Sequence, residues 1–396
     1  MSQPLVPRVL RPRRAAPADA VRPTRAEVNL AALRHNLRVV RRYAAGARVR
    51  AVLKADAYGH GAPAVARTLE RAGVDGFCVA LLEEGVELRE AGVTAPILVM
   101  GGQYGSAHDE VIARRLTPVV HDIGQVEAFS RLARSADLPG PVEVHLKVDT
   151  GMARLGVTMR ELPDVAARLA EHPQVRVVGL MTHLACADAP DEAPTLEQTI
   201  RFDEATAVLA RHGIRVHERH AANSAALLRG HARLDAVRPG IALFGVSPRV
   251  DGAQLTAELK PAMRVRTEIV AMRELEPGAP VGYGATWRAS RPSRVATIPM
   301  GYADGLSRAL GNRGQVLVRG KRAAIVGAVS MDMTMIDVTD VDGASLHDEV
   351  VVLGTQEGAS GRDTIGAEEV ARHADTISWE VLTGFSRRVP RFYRDP

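Results

Sequence analysis

Lys54 stands at the end of an apolar run, Val49 to Leu53 with one arginine inside it, and is followed by Ala-Asp-Ala-Tyr-Gly-His-Gly61. The run reads as a short buried strand, and after Gly59 and Gly61 comes a helical pattern that includes Val65 and Leu69. A lysine between a strand and a helix is placed for chemistry if the strands form a parallel barrel, because such barrels carry their sites at the C-terminal strand ends. Taken alone, Lys54 reads equally as a solvated loop lysine.

Further strand ends carry groups of the same kind. A later run closes on Lys147-Val-Asp-Thr-Gly-Met-Ala-Arg154. Lys147 and Arg154 would join Lys54 with Asp149 between them, and like charges brought together call for a bound anion or a neutralised lysine. Otherwise the two side chains diverge into solvent. Thr182-His183 ends the next run; His183 is either a proton carrier or orienting group, or a satisfied core imidazole. His220-Ala-Ala-Asn-Ser224 precedes an apolar helix start, so Asn223 and Ser224 either cap that helix or present its N–H groups to a phosphate. The last run gives Arg238-Pro-Gly-Ile241. Ser224, Gly240 and Ile241 thus fall in the loops after strands seven and eight, where barrels bind phosphate. His217-Glu-Arg-His220 is one residue short of a zinc-binding helix motif, and on a strand its histidines face opposite ways, so no metal is expected. Farther on, Tyr283 sits between Gly282 and Gly284, and Tyr302 and Met331 lie in short polar turns.

The elements that must hold these residues are eight apolar runs: Val49–Leu53, Gly76–Ala80, Pro96–Met100, Thr117–His121, Val142–Val148, Val175–Met181, Val216–Ala221 and Ala236–Phe244. Helical patterns separate them, as at Met159 to Glu171. Eight strands alternating with helices predict a (β/α)8 TIM-like barrel over residues 26–250, with a doubly wound open sheet as the alternative. No glycine-rich dinucleotide fingerprint opens the first helix. From about residue 251 to 396 short β-rich runs, punctuated by Gly, Pro and Asp, predict a C-terminal mostly β domain. One helix is expected there, Ala367 to Leu382.

Charge is unevenly spread. The chain of 396 residues has 51 basic and 46 acidic side chains, and residues 1–25 take six of the former and one of the latter, leaving a balanced body. That proline-rich segment is expected to be a disordered basic tail rather than a nucleic-acid arm. Arg13-Arg14 lacks the apolar stretch of an export signal, no run is long enough to span a bilayer, and two cysteines suit a reducing compartment. A cytoplasmic protein with no nucleic-acid or membrane partner is the expectation.

Lys54-Ala-Asp-Ala-Tyr-Gly-His-Gly61, together with the segments around Lys147, His183, Ser224, Arg238, Tyr283, Tyr302 and Met331 in that order, resembles the alanine racemases, a barrel family of pyridoxal-phosphate fold type III. The resemblance covers about residues 26–394 and implies that pyridoxal 5'-phosphate is the cofactor. It implies that Lys54 forms the Schiff base and is one catalytic base, with Tyr283 the second, entering from the partner subunit of a homodimer with composite active sites. Arg238 would face the pyridine nitrogen and His183 would share its network. Tyr58, Asn223, Ser224, Gly240 and Ile241 would bind the cofactor, and Arg154, Tyr302 and Met331 the substrate alanine. Lys147 is similar to a lysine often carried as a carbamate. The implied reaction interconverts L-alanine and D-alanine, supplying D-alanine for peptidoglycan. Where family members often have a phosphate-binding tyrosine before Arg-Val-Pro-Arg391, this chain has Arg387.

Inverting Cα requires a proton taken from one face and returned on the other. Unperturbed lysine and tyrosine titrate at about 10.4 and about 10, so base catalysis near pH 7 requires their deprotonated forms to be favoured by roughly 4 kcal/mol. Neighbouring cations act in that direction. An amino-acid decarboxylase on the same barrel is the alternative; Tyr283 and Arg238 favour the racemase, since decarboxylases pair the pyridine nitrogen with an acid. A non-catalytic cofactor-binding protein would not need Tyr283.

Overall fold

The computed structural model describes residues 20–105 and 107–395, which form two compact units. In the first, the strands are β2 (Arg48–Val52), β3 (Gly76–Val79), β4 (Ile97–Val99), β5 (Thr117–Val120), β6 (Val142–Asp149), the two-residue β7 (Val157–Thr158), β8 (Val175–Met181), β9 (Glu218–His220) and β10 (Ala236–Val237); β1 (Arg25–Asn29) lies in the second unit. The pairing order β5-β4-β3-β2-β10-β9-β8-β6, closed by β5 against β6, is a complete ring of eight parallel strands. β7 adds to the outer side of β6. The closed ring decides for the barrel over the open sheet.

The strands are apolar runs because both of their faces are buried, as in any parallel sheet covered by helices. Every residue of β3 and β4 is buried. The helices between them carry local start signals. Asp122 Oδ1 accepts from Gln125 N at 3.0 Å to cap Ile123–Ser135. Leu162–Leu169 has Pro163 in its first turn, where a missing N–H costs nothing. The expected strand Ala236–Phe244 is shorter in the structure. Pro239 cannot donate to the ladder, so β10 ends at Val237, and Ile241–Phe244 winds into a 3-10 turn.

The second unit is a ten-stranded sheet. Along it run Ala271–Leu275, Ser293–Ile298, Thr334–Asp337, Lys321–Ile325, Gln315–Val318, Glu349–Gly358, Met263–Glu268, β1 and Arg391–Arg394, with Gly361–Ile365 paired to Glu349–Gly358. All pairs are antiparallel except β1 with Arg391–Arg394. The expected helix at 367–382 is two helices, Ala367–His373 and Ser378–Gly384, parted where Asp375 takes φ 56°.

Two sequence expectations change at the N-terminal side. Residues 26–32 were expected in the barrel, but β1 pairs with Met263–Glu268 and Arg391–Arg394. The 4% exposed Glu27 in β1 explains the choice, because its carboxylate meets Arg25, Arg264, Arg266 and Arg394. The disordered-tail expectation for 1–25 also fails at its end; residues 1–19 lie outside the described residues. Arg22 grips both carboxylate oxygens of Asp304, Nη1 to Oδ2 at 3.0 Å and Nη2 to Oδ1 at 2.6 Å. Thr24 is fully buried and bonds Thr267 Oγ1 and Pro299 O, both at 2.8 Å. Asp304 is itself fully buried, accepts from Gly301 N and has Arg388 as a second cation. Asp304 is the buried partner and Arg22 is partly exposed, so breaking the pair costs about 3 kcal/mol at most. Asp304→Asn is therefore expected to lower the urea midpoint of unfolding substantially, and a variant with an unchanged midpoint would show the pair to be idle.

Candidate active site

β2 stops at Val52, and the following Leu53 is fully buried with its N–H on Cys78 O at 2.8 Å. Lys54 comes next, and then the chain turns left-handed. Ala55, Asp56 and Ala57 have φ of 51°, 56° and 53° with ψ of 53°, 46° and 51°, and Tyr58 has φ 53°. Ala57 N donates to Leu53 O at 2.8 Å, which closes the turn. None of the four is glycine, and each left-handed residue costs roughly 1–2 kcal/mol. Side chains of neighbouring loops offset that cost. Glu84 Oε1 accepts from Ala55 N at 2.6 Å, while its Oε2 accepts from Ala80 N at 2.7 Å and Leu81 N at 3.1 Å. Asp56 Oδ1 accepts from Ala62 N at 2.6 Å. Strain at a strand end held by several outside contacts is the usual mark of a functional position.

Lys54 is reached by solvent, yet the protein around it lowers its pKa, chiefly by desolvation and then through Arg154, against an opposing effect of Glu84. Lys147 is only 4% exposed, and burial followed by Arg154, Arg238 and Lys54 brings its amine down to about 8, with Asp149 opposing. The Lys147 side chain makes no hydrogen bond among the described residues. The nearby carboxylates are already committed to backbone amides. Asp149 Oδ1 accepts from Gly151 N at 2.9 Å and Met152 N at 2.8 Å, and Glu84 is the clamp of the left-handed turn. Lys54, Lys147, Arg154 and Arg238 therefore share a strand-end region short of counter-charge, which suits anionic ligand groups.

Arg238 anchors the floor of this region. Its guanidinium is 3% exposed and meets only acceptors: Nη1 on His220 Nδ1 at 2.6 Å and His220 O at 2.7 Å, Nη2 on Thr182 O at 2.7 Å and Ala221 O at 3.1 Å. Burial draws its pKa down to about 10, which leaves it charged at neutral pH. Nη2 also reaches His183 Nδ1 at 3.5 Å. His183 is held near about 3 by desolvation and by Arg238, Arg154, Lys147 and Lys54, in that order. Below Arg238, His220 Nε2 lies 2.7 Å from His145 Nδ1. These two imidazoles and Glu218 bring ligand-type atoms within 4.8 Å of one another. Glu218 is already held by Arg50, Nη2 to Oε2 at 2.9 Å, and by Arg48 at 2.8 Å, and His220 by Arg238. The cluster is thus satisfied by cations of the chain itself. His217 of the near-motif is exposed whereas His220 is fully buried.

The loops after β9 and β10 are tied by one hydroxyl. Ser224 Oγ accepts from Gly240 N at 3.0 Å and Ala242 N at 3.3 Å. Asn223 Oδ1 accepts from Ala226 N at 3.0 Å and caps the helix Ser224–Arg229. Ser224 and Ile241 are both buried, so the two loops are packed as well as tied. In the second unit Tyr283 begins a 3-10 turn between Gly282 at φ 69° and Gly284 at φ 72°, and it is 76% exposed. Tyr302 and Met331 are exposed as well, while Tyr58 is buried.

A closed parallel barrel that gathers a lysine beside a left-handed turn and a buried arginine at its strand ends has the architecture of a barrel enzyme. Residues 28–248 match the model of the alanine racemase N-terminal domain and residues 262–393 that of its C-terminal domain. The chain belongs to the alanine racemase family. It is 62% identical over 383 residues to an alanine racemase of Sorangium cellulosum, covering 95% of this chain and all of the relative. The crystal structure of alanine racemase from Streptomyces lavendulae is similar with TM-score 0.89 at 32% identity, covering 96% of this chain and 98% of that one. That from Bartonella henselae, which carries covalently bound pyridoxal phosphate, has TM-score 0.84 at 30% identity, covering 94% of this chain and 99% of that one.

Sequence reasoning passed over His145, Gly179, Glu84, Arg50 and Glu218. His145 was within reach: it precedes Lys147 by two on the same strand and so shares its face. Glu84 clamps a turn 29 residues away in sequence with no local motif to announce it. The buried histidines carry a pH consequence. His145 and His183 sit near about 3 in the folded chain against 6.5 for a free imidazole. The unfolded chain therefore binds protons first on acidification, and stability present above pH 6.5 is lost as the pH falls from there toward 3. The urea midpoint is expected to be lower at about pH 5 than at about pH 7.5, with a smaller difference in His183→Asn. An equal or higher midpoint at the lower pH would contradict the neutral buried state.

Proposed function

We propose that this chain interconverts L-alanine and D-alanine with pyridoxal 5'-phosphate as its cofactor, by two bases, as a cytoplasmic homodimer that supplies D-alanine for peptidoglycan. The observation that carries the reading is Lys54, held at the end of β2 by a left-handed turn among cations whose nearby acids are committed to backbone amides. The residues suit the cofactor: Lys54 is a reachable amine with a lowered pKa, the loops carrying Ser224, Gly240 and Ile241 after β9 and β10, tied together by the Ser224 hydroxyl, would hold its phosphate, and Arg238 would face its ring. Asn223 positions the first of these loops by capping its helix, and Tyr58 closes the far end of the left-handed turn. Arg154, Tyr302 and Met331 are the substrate residues of the reading, the arginine taking the carboxylate.

When bound, the cofactor withdraws electrons from the substrate's Cα and so acidifies its hydrogen. The chain moves the proton. Lys54 Nζ accepts it from one face, its neutral form favoured by desolvation and Arg154. Tyr283 Oη serves the opposite face. Its glycine-flanked turn and 76% exposure suit a side chain offered to a second copy of the chain. Arg238 keeps its proton throughout. Neutral His183 accepts from Arg238, which steadies the guanidinium. No described helix is long and apolar enough to cross a membrane, and Cys78 and Cys186 are both free thiols.

Lys54→Ala and Tyr283→Phe are each expected to lose roughly a hundredfold or more of racemisation. If the site is composite, mixing the two inactive variants restores one intact site in each hybrid dimer, or about a quarter of wild-type activity when subunits exchange freely. No recovery on mixing, with hybrids demonstrated by mass, would contradict the shared site.

Lys147 is read as a carbamate. Its amine, lowered to about 8, is partly neutral under working conditions and attacks CO2, losing one proton and becoming an anion beside Arg154 and Arg238. Protein equilibrated with 13C-bicarbonate should show a carbamate carbon resonance that is absent from Lys147→Met. An unmodified Lys147 in the active enzyme would sink this assignment.

A further inference from the structure

We infer that His145, seated against Gly179, is a positioning residue for Arg238, acting through His220. The inference rests on the reading that Arg238 faces the cofactor ring. Its basis is a chain of hydrogen bonds in which each nitrogen has one available role. A guanidinium has donors only. Nη1 of Arg238 lies 2.6 Å from His220 Nδ1, so Nδ1 accepts and the proton of this neutral ring sits on Nε2. His220 Nε2 lies 2.7 Å from His145 Nδ1, so His145 accepts there and carries its own proton on Nε2. Both rings are buried and held neutral, chiefly by burial. His145 is the acceptor that keeps the His220 ring in the plane from which Nδ1 meets Arg238. Without it a buried N–H loses its partner, and the ring must turn to find another.

The backbone is arranged to admit His145. Gly179 is its partner across β6 and β8, and the register shifts between Val144 and His145. A Cβ at Gly179 would lie 2.2 Å from His145 Nδ1 and 2.4 Å from Cγ and Cε1. The imidazole therefore occupies the space where any other residue would put its side chain. Glycine inside a strand weakens it and often marks a close approach. Here the approaching group is the ring that supports His220. Beyond His145 lies Glu218, whose carboxylate is within 4.8 Å of both imidazoles and is itself held by Arg50 and Arg48. The sequence Arg238, His220, His145 is a fixed rod of neutral imidazoles under a charged head.

The test uses the full-length holoenzyme and three variants. His145→Phe keeps a ring and removes the acceptor, Gly179→Ala displaces the imidazole, and His145→Asn returns an acceptor oxygen near the Nδ1 position. With 15N-histidine labelling, wild-type His220 should show Nδ1 unprotonated and Nε2 protonated, in the holoenzyme and in the cofactor-free chain. His145→Phe and Gly179→Ala should change the His220 resonances, lower kcat roughly tenfold while KM for L-alanine stays within about twofold, and raise the share of turnovers lost to transamination. His145→Asn should recover most of kcat and the His220 pattern. A proton on His220 Nδ1 in the wild type overturns the inference without any variant. So do variants with normal His220 resonances and normal kcat, or a KM that rises in step with the fall in kcat. Arg238→Lys separates the two readings: if it leaves the cofactor's absorption unchanged while His145→Phe still moves the His220 resonances, the placement of Arg238 at the ring fails and the anchoring by His145 stands.

Discussion

Four cations, Lys54, Lys147, Arg154 and Arg238, interact at one end of a closed parallel barrel, and the carboxylates near them are committed to backbone amides. That constraint shapes the rest of the site. Desolvation and mutual repulsion lower the pKa of both lysines and of His183. An ensemble of like charges is tolerated only where a ligand or a modification supplies the missing negative charge. A phosphate over Ser224 and Gly240, a substrate carboxylate by Arg154 and a carbamate on Lys147 would each reduce the excess. Desolvation and Arg154 together favour the neutral amine of Lys54.

Holding such an arrangement requires rigid supports, and the structure has two. The left-handed turn after Leu53 is unfavourable residue by residue, and Glu84 and Asp56 spend their carboxylates on securing it. Beneath the site, Arg238 is satisfied by the carbonyls of Thr182, His220 and Ala221 together with the His220 ring. Both supports use buried or clamped polar groups that contribute position more than stability. The barrel positions them because its C-terminal strand ends converge, so residues distant in sequence such as Lys54, Lys147, His183 and Arg238 become neighbours.

Much of this was legible in the sequence. The barrel strands were readable because a strand buried on both faces is a continuous apolar run, as in Gly76–Val79 and Ile97–Val99. The ordered motifs from Lys54 to Met331 carried the family. What escaped was non-local or had no residue-type marker. β1 falls by position within residues 26–250 assigned to the barrel, but its partners lie more than two hundred residues on, where Arg264, Arg266 and Arg394 meet Glu27. Arg22 looked like part of a solvated basic tail because Asp304, its partner, is 282 positions away. The left-handed turn in Ala-Asp-Ala-Tyr58 contains no glycine until Gly59, so composition gives no sign of it. Pro239, by contrast, was in plain view and should have shortened the last strand.

The central claim is that Lys54, rather than the neighbouring buried Lys147, holds the cofactor. The most direct measurement is borohydride reduction of the pyridoxal-phosphate-loaded enzyme followed by peptide mapping by mass spectrometry. The account predicts one pyridoxyl-modified peptide, carrying the label on Lys54, and none in Lys54→Ala. A label on Lys147, or stoichiometric labelling of Lys54→Ala at any other lysine, would contradict it.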